Sequence, residues 1–520
     1  MSPTPRPAME PRNLLFITLD QWRADALACA GNAAIHTPHI DALAADGVLF
    51  AQHYANASPC APSRAALLTG MYQHNNGVVR NGSPLDPRFS NVAWEARKVG
   101  LTPALFGYTD TAADPRIHHA NDPAMHTYES VLPGMEPVLY LPEKPHAWLA
   151  HLQRMGYAVG TDMQEVYRPK TVEGAAPAAP SNAPTVFAAE HSISHFMTDA
   201  IMDYVGVRRQ ESWFVHASYI RPHPPFIASA PFNTQYAPNS VPAPQRAASP
   251  ELEAEQHPLL AVYLQNLKQS TFYVGGQGLV KDLSAADLAQ VRATYYGMVS
   301  EVDVQVGRLV QHLKDTGQYA NTFIVLTSDH GEMLGDHHLL GKEGYFKEAY
   351  HVPLIVRDPK THADASRGQR FGGFTEAVDV MPTILQWLGL PAPRQCDGHS
   401  LLPICHGQTP QGWRHAAHWE FDFRSTWSPN AQDALGLGLD DCGLAVLRDH
   451  DFQYVHFAAL QPLLFDLHAD PHCLRNVAAD PEYAAVVLRY AQAMLSWRMR
   501  SNARGLTGQF VGPTGLVTRA

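Results

Sequence analysis

The segment that begins at Cys60 carries the residues best suited to chemistry in this sequence. Cys60 is followed by Pro62 and Arg64, and an alanine- and leucine-rich run then ends at Gly70. The run predicts a short helix that begins at the cysteine and ends at the glycine. Backbone N–H groups and the helix dipole favour negative charge at such an N-terminus, which suits a nucleophile or an anion site. For a cysteine taken alone, a buried structural role is the alternative.

Two apolar runs far apart in the chain each end in side chains that can bind a metal ion. The first run is followed by Asp20 and Gln21. The second is followed, after one serine, by Asp329 and His330. Carboxylate and amide oxygens and an imidazole nitrogen are common ligands of divalent ions. Each pair alone has a structural alternative, because an aspartate after a strand often caps a helix and a single histidine often packs in a core.

The elements that must position these groups alternate between strands and helices, as in a mainly parallel α/β sheet flanked by helices. The predicted strands are 13–19, 102–107, 213–217 and 322–327, and the predicted helices are 37–43, 194–207, the segment between Ser284 and Gly317, and 378–388. Ligands bind beyond the carboxyl ends of strands in such sheets, so we expect the two metal-capable pairs to meet there. Residues 130–185 are rich in proline, glycine and alanine, which predicts long loops that line a site or an interface.

The pattern changes after about residue 400. Short alternating runs predict an antiparallel sheet with strands at 415–421, 444–447, 452–457 and 463–467. Residues 480–520 predict a helix and a polar tail that could serve as an oligomerisation arm. We therefore predict two parts, a catalytic α/β domain over 1–400 and a C-terminal subdomain over 401–520 with a small antiparallel sheet.

Composition excludes several classes of protein. Of the 520 residues, 45% are hydrophobic and 17% are charged, which is typical of a globular protein and not of a disordered one. The formal net charge of -11 gives no basic footprint for nucleic acid. The longest apolar runs are too short to span a membrane, and residues 1–12 lack the apolar core of a signal peptide. Six cysteines without a CxxC spacing predict reduced thiols in a cytoplasmic protein.

Several motifs together resemble one family. They are Cys-x-Pro-x-Arg at 60–64 with Thr-Gly at 69–70, and the segments 19–23, 221–226, 328–332, 335–342 and 420–424. The joint pattern resembles the formylglycine-dependent sulfatases of the alkaline phosphatase superfamily, and within them the phosphonate monoester hydrolases. The resemblance runs from residue 13 nearly to the C-terminus. It implies an alkaline-phosphatase-like fold and an ester hydrolase.

The resemblance also implies how such an enzyme works. A formylglycine-generating enzyme oxidises the cysteine, here Cys60, to an aldehyde that hydrates to a geminal diol. One hydroxyl attacks phosphorus or sulfur in line and forms a covalent ester. The second hydroxyl then loses its proton and expels the product, which regenerates the aldehyde. Water need not attack the intermediate, so one nucleophile can serve phosphorus and sulfur esters.

One divalent metal ion is implied as the cofactor. The ligands implied by the resemblance are Asp20, Gln21, the converted Cys60, Asp329 and His330. Most sulfatases have a carboxylate in place of Gln21 and an amide in place of His330, and such all-oxygen sites suit calcium. Here the site has one fewer anion and gains a ring nitrogen, which favours a transition ion over calcium. Manganese is the expected ion, with iron, zinc and calcium as the alternatives.

Further site residues follow from the same resemblance. Arg64 is expected to orient the hydrated aldehyde, with a helix-anchoring salt bridge as the alternative. Lys342 and His223 are expected to contact substrate oxygens or assist the leaving group, and packing in a turn is the alternative for His223. Asn81 and Tyr108 are expected to line the substrate pocket. At Asp110 the relatives carry threonine, and a carboxylate there would repel an anionic substrate unless it is paired, so its role stays open.

Three functions are compatible with these observations. The first is a hydrolase of phosphonate monoesters and phosphodiesters that is promiscuous toward sulfate monoesters, acting on small molecules. The second is an arylsulfatase with incidental activity on phosphorus esters. The third is a metal-binding scaffold that has lost the chemistry, and the complete set of site residues argues against it. Similarity to oligomeric relatives predicts a homotetramer or a homodimer.

Overall fold

The computed structural model describes residues 12–170, 180, 182–424, 430–503 and 505–518. Residues 1–11, where we predict the absence of a signal peptide, lie outside this part of the chain. Its strands are β1 (Asn13–Asp20), β2 (Val48–Tyr54), β3 (Ala57–Ser58), β4 (Pro103–Gly107), β5 (Glu136–Tyr140), β6 (Phe214–Pro222), β7 (Thr322–Ser328), β8 (Leu354–Arg357), β9 (Gln369–Glu376), β10 (Ala417–Asp422), β11 (Gly443–Arg448), β12 (Phe452–Phe457), β13 (Leu463–Asp466), β14 (Gln509–Gly512) and β15 (Gly515–Thr518).

The helices surround these strands and vary widely in length. They are α1 (Pro38–Ala45), α2 (Cys60–Thr69), α3 (Gln73–Asn76), α4 (Val92–Arg97), α5 (His146–Arg154), α6 (Met163–Val166), α7 (Ile193–Gly206), α8 (Pro250–Ala254), α9 (Pro258–Asn266), α10 (Ala285–Asp315), α11 (Val380–Trp387), α12 (Leu402–Cys405), α13 (Ala431–Leu435) and α14 (Ala484–Ser501). Within the described ranges, every helix is too short or too polar to cross a membrane.

A sheet of eight strands forms the centre of the molecule, in the order β5-β4-β6-β1-β7-β8-β2-β9. Its neighbouring strands are parallel, except that β8 runs antiparallel to both β7 and β2. Every residue of β1 and β7 is buried, as expected for strands that helices cover on both faces. The predicted mainly parallel α/β architecture is confirmed.

A second sheet has the order β13-β12-β11-β10-β3. The pairs among β10 to β13 are antiparallel, as predicted, whereas β3 joins β10 in parallel. Because β3 precedes α2 by one residue, the small sheet fixes the chain just before Cys60. A division of the chain at residue 400 therefore separates strands of one sheet, and the two-domain description stays a prediction.

The prediction of long loops over residues 130–185 is wrong for part of that segment, of which residues 171–179 and 181 lie outside the described part. It contains β5, α5 and α6. Helix α5 buries Trp148, Leu149 and Leu152 on one face. Tertiary packing on this apolar face outweighs the high local content of proline and glycine.

The longest helix, α10, connects the fold to the site. Ser284 caps its N-terminus, where the Ser284 hydroxyl accepts a hydrogen bond from the backbone N–H of Asp287 at 3.1 Å. The apolar face of the helix is buried from Leu288 to Leu313. The same helix presents the Tyr295 hydroxyl to the loop after β1, where it donates to the carbonyl of Gln21 at 2.8 Å.

Candidate active site

Four adjacent parallel strands end beside one another and deliver the polar residues of the site. In spatial order they are β4, followed by Tyr108; β6, followed by His223; β1, which ends in Asp20 and is followed by Gln21; and β7, followed by Asp329 and His330. Leu19 lies opposite Ser328 in the β1–β7 register, so the two metal-capable pairs leave the sheet side by side. The structure thus brings together residues more than 300 positions apart in the chain.

Cys60 lies in the same cluster, at the first position of α2. Its Sγ atom is 3.2 Å from Nε2 of His330. The Oδ1 atoms of Asp20 and Asp329 are each 3.8 Å from that same nitrogen. His330 Nδ1 lies 3.0 Å from the carbonyl oxygen of Gly331, to which it must donate, so the lone pair of Nε2 faces the cluster. All four side chains are buried, and their ligand atoms are close enough to hold one ion.

The two carboxylates respond to burial in opposite ways. Burial raises the pKa of Asp20, but electrostatic interactions with His223, Lys342, His330 and Arg64 outweigh this effect and lower it below its usual range. Burial and the nearby Asp20 raise the pKa of Asp329 to about 7. Within the described part of the chain, Oδ1 of Asp20 is buried without a hydrogen-bond partner. This unpartnered carboxylate oxygen, together with an imidazole nitrogen, fits a divalent cation.

Arg64 bridges the two carboxylates from the side opposite His330. Its Nε donates to Oδ2 of Asp329 at 2.9 Å, and its Nη2 donates to Oδ2 of Asp20 at 3.1 Å. Nη1 donates to the Ser218 hydroxyl at 2.8 Å. With both Oδ2 atoms engaged, both Oδ1 atoms face the cluster around His330. Arg64 therefore forms salt bridges to both aspartates, which is the geometry expected from its alternative role as a helix-anchoring salt bridge.

Lys342 and Gln21 close another side of the cluster. The ammonium of Lys342 donates to Sγ of Cys60 at 3.2 Å and to Oε1 of Gln21 at 2.9 Å. Burial lowers the pKa of Lys342, but Cys60 and Asp20 outweigh this and raise it, so the ammonium stays charged. Gln21 has a φ of 66°, a left-handed conformation rare for a residue with a side chain.

Glu332 orients the amide of Gln21, a role that the sequence analysis did not assign to it. Its Oε2 accepts a hydrogen bond from Nε2 of Gln21. Its Oε1 accepts from the backbone N–H groups of Leu334 at 2.9 Å and Gly341 at 2.6 Å. Because Glu332 takes the amide nitrogen, the amide oxygen points to Lys342. Burial raises the pKa of Glu332 to about 7.

The predicted pocket residues Asn81 and Tyr108 bind the protein itself. Oδ1 of Asn81 accepts from the backbone N–H of Ala61 at 2.9 Å and so holds the first turn of α2. The Tyr108 hydroxyl donates to Oδ2 of Asp20, and the Arg64 guanidinium lies 4.3 Å from the centre of its ring. Both residues therefore support the cluster, and their contact with substrate stays a prediction.

His223 lies at the edge of an open space. Its Nδ1 donates to the carbonyl of Pro224 at 2.8 Å, which leaves Nε2 as an acceptor. Burial and the charge of Lys342 lower the pKa of His223 to about 4, although Asp20 opposes them. A cavity of about 600 Å³ adjoins this ring and is lined also by Lys144.

Asp110, whose carboxylate would repel an anionic substrate if it were unpaired, has a cationic partner. Its carboxylate lies 3.4 Å from Nε of Arg64, and its side chain is buried. Burial raises the pKa of Asp110 even though Arg64 opposes the shift. The expected repulsion of an anionic substrate is therefore reduced by the guanidinium.

Comparison with known proteins agrees with this geometry. The model of the family described as Sulfatase matches residues 12–390, and the model described as N-sulphoglucosamine sulphohydrolase, C-terminal, matches residues 335–500. The multifunctional alkaline phosphatase superfamily protein PehA of Trinickia caryophylli is 42% identical, with 98% of this chain and 100% of that protein covered. An arylsulfatase of Clostridium perfringens is 25% identical, with 95% and 96% covered. The crystal structure of the phosphonate monoester hydrolase of Agrobacterium radiobacter superposes with a TM-score of 0.94 at 45% identity, covering 98% of this chain and 100% of that one.

Proposed function

Since this chain belongs to the sulfatase family of the alkaline phosphatase superfamily and is an ester hydrolase, we propose that it cleaves phosphonate monoesters and phosphodiesters with a nucleophile made from Cys60. Sulfate monoesters are its secondary substrates. The observation that carries the proposal is the place of the Cys60 sulfur, 3.2 Å from both His330 Nε2 and Lys342 Nζ at the start of α2. The similarity to a phosphonate monoester hydrolase over nearly the whole chain supports the choice of phosphorus esters.

The environment of Cys60 argues against the thiol as the nucleophile. Burial and the carboxylate of Asp20 raise the pKa of the Cys60 thiol well above its ordinary value, although Lys342 opposes the shift. Reactive cysteines have a lowered pKa, because the thiolate is the attacking species. Conversion to formylglycine by a formylglycine-generating enzyme would replace this inert thiol with a hydrated aldehyde, whose hydroxyl attacks phosphorus or sulfur.

The cluster fits one divalent cation, held by Asp20, Gln21, Asp329, His330 and the converted residue 60. The unpartnered Oδ1 of Asp20 and the ring nitrogen of His330 support this assignment. An imidazole nitrogen favours Mn²⁺ over Ca²⁺, with Fe²⁺ and Zn²⁺ as alternatives. When bound, such an ion would polarise the substrate and lower the pKa of the attacking hydroxyl.

The remaining charges suit the chemistry of an anionic ester. Lys342 stays an ammonium beside residue 60, where it can stabilise negative charge on the nucleophile and on the substrate oxygens. Arg64 holds the Oδ2 atoms of both aspartates and so fixes the direction of their Oδ1 atoms. Neutral His223 offers Nε2 as a proton acceptor, and a bound anion would raise its pKa so that it can return that proton to the leaving oxygen.

A matched pair of aryl esters tests the proposal. The measurement is kcat/KM for an aryl phosphonate monoester and for the aryl sulfate with the same leaving group, on enzyme whose residue 60 is verified as formylglycine. We expect the phosphonate to be the better substrate. A large preference for the sulfate would instead support the second candidate, an arylsulfatase, which the match to the sulfatase family model favours.

We also propose that the enzyme is a cytoplasmic homo-oligomer, a tetramer or a dimer. All six cysteines are free, which suits a reducing compartment. Large apolar side chains are more than half exposed on α14 and on the β14–β15 hairpin, among them Leu495, Met499, Val511 and Leu516. A two-stranded hairpin is marginal on its own, so contact with another copy would stabilise it. Light scattering of the purified protein would test the assembly, and a monomer would contradict it.

A further inference from the structure

A second group of metal-capable side chains lies at the end of the central strands opposite the candidate active site. Asp358 directly follows β8, which pairs with β7 so that Arg357 lies opposite Ile324, near the start of β7. The active-site residues follow the other end of β7. His362 lies in a 3-10 turn (Thr361–Ser366) after Asp358, and His406 directly follows α12. We propose that Asp358, His362 and His406 bind one Zn²⁺ ion.

The three ligand atoms have the spacing of a tetrahedral zinc site. Nε2 of His406 is 2.9 Å and Nε2 of His362 is 3.5 Å from Oδ2 of Asp358. Ligands at about 2.0 Å in a tetrahedron around zinc are about 3.3 Å apart, and the two distances lie on either side of this value. The ligand atoms of the three residues all lie within 4.8 Å of one another. Small side-chain rotations are therefore enough for coordination.

The charge on Asp358 supports a bound cation. Its side chain is fully buried, and its ion-pairing partners among the described residues are the two histidines. Oδ1 accepts from the backbone N–H of Lys360 at 3.1 Å and from the Trp387 indole at 3.3 Å, which are both neutral donors. Oδ2 faces the imidazoles. A buried carboxylate is costly without a compensating charge, and a Zn²⁺ ion held between Oδ2 and the two imidazoles would supply one.

The site is open to solvent on the histidine side. The His362 side chain is 50% exposed and that of His406 is 23% exposed, so an ion can enter between the rings. Three protein ligands leave a fourth position for water, which is the arrangement of an open zinc site. Because the ligands come from the turn after β8 and from the end of α12, the bound ion would join two segments about 45 residues apart and resist their separation.

Metal content of the holoenzyme tests the proposal. Purified enzyme is equilibrated with Zn²⁺ alone, dialysed against buffer with low free Zn²⁺, and its total metal per chain is measured by mass spectrometry. We expect one ion more per chain in the wild type than in a His362→Ala/His406→Ala variant. Ester turnover of the variant stays at the wild-type level, because its substitutions lie at the opposite end of the central strands.

A lone histidine–aspartate pair gives the matched control. His468 lies 2.9 Å from an oxygen of Asp451 on the surface, and among the described residues no second imidazole forms an ion pair with that carboxylate. The His468→Gln variant should retain the wild-type metal content. Zinc-edge anomalous diffraction should place a peak between Asp358, His362 and His406. The proposal is overturned if the double variant binds as much zinc as the wild type, or if the peak lies elsewhere and these side chains have none.

Discussion

The negative charge of two groups of buried carboxylates in this molecule is compensated in different ways. In the first, Glu376 at the end of β9 and Asp379 three residues later share one guanidinium. Arg414 donates to both oxygens of Asp379, at 2.8 Å to Oδ1, and lies 3.6 Å from Glu376. The backbone N–H and Nδ1 of His418 donate to Oε1 of Glu376 at 2.8 and 3.0 Å, and the Tyr72 hydroxyl donates to Oε2 at 2.5 Å. Each carboxylate of this group is satisfied by the protein itself.

The second group is the pair of Asp20 and Asp329. Arg64 binds one oxygen of each, but Oδ1 of Asp20 has no hydrogen-bond partner among the described residues. The pKa of Glu376 is lowered to about 2, whereas in the second group the pKa of Asp20 is lowered and that of Asp329 is raised to about 7. A carboxylate group that the protein satisfies completely stabilises the fold. A group left with an unpartnered oxygen is arranged for a ligand from outside.

The largest expected effect is on the second group. Asp20→Asn removes one negative ligand, and metal-assisted charge stabilisation of several kcal/mol is lost, so we expect kcat/KM to fall roughly 10³-fold or more. The metal content of the active site should fall with it. Normal metal content and turnover in this variant would contradict the contrast between the groups.

The first group should show the opposite response. Arg414→Met leaves two buried carboxylates without their guanidinium, so we expect the free energy of unfolding to fall by about 3–5 kcal/mol. Turnover per folded molecule should stay at the wild-type value, since Arg414 lies in the group that the protein satisfies itself. Urea unfolding and active-site titration measure the two quantities. A variant that is stable but inactive would reverse the roles assigned to the two groups.

Acid should weaken the contribution of the first group to the stability of the fold. Burial raises the pKa of Glu376, but Arg414 and His418 outweigh it and lower the value from 4.5 to about 2. A carboxyl group with a lowered folded pKa stabilises the protein fully above pH 4.5 and loses this contribution as the pH falls toward 2. The contribution is about 3 kcal/mol. Glu376→Gln should flatten the pH dependence of urea unfolding in that range, and an unchanged slope would reject the assignment.

The smallest predicted effect concerns the orientation of Gln21. Glu332→Gln exchanges the acceptor of the Gln21 amide for a group that can also donate, so the amide can turn its oxygen away from the cluster. We expect metal affinity or kcat/KM to fall about 10- to 100-fold, as for other residues that orient a ligand. Metal titration measures the affinity. If the variant binds metal and turns over as the wild type does, Glu332 has only a structural role.

Some of the site could be predicted from the sequence, and the reason is physical. Asp20 and Asp329 each follow a continuous apolar run, and parallel strands end at a common edge, so their meeting follows from the strand pattern. The direction of a side chain depends instead on tertiary contacts. The bond from Tyr108 to Asp20 and the cap of α2 by Asn81 leave no mark on local sequence.

The same limit explains the elements that were missed. Helix α5 lies in a segment rich in proline and glycine, and its apolar face becomes decisive only when Trp148 packs in the core. The short β3 has two residues and owes its pairing to β10, more than 350 positions later. Local propensity carries no information about such a partner.

The most direct test of the account is the chemical identity of residue 60 in active enzyme. Mass spectrometry of the peptide that contains residue 60 is combined with turnover of an aryl phosphonate monoester on the same preparations. We predict an aldehyde or its hydrate at this position, turnover that rises in proportion to the converted fraction, and no turnover in Cys60→Ala despite an intact fold. Full turnover from enzyme in which Cys60 is an unmodified thiol would contradict it.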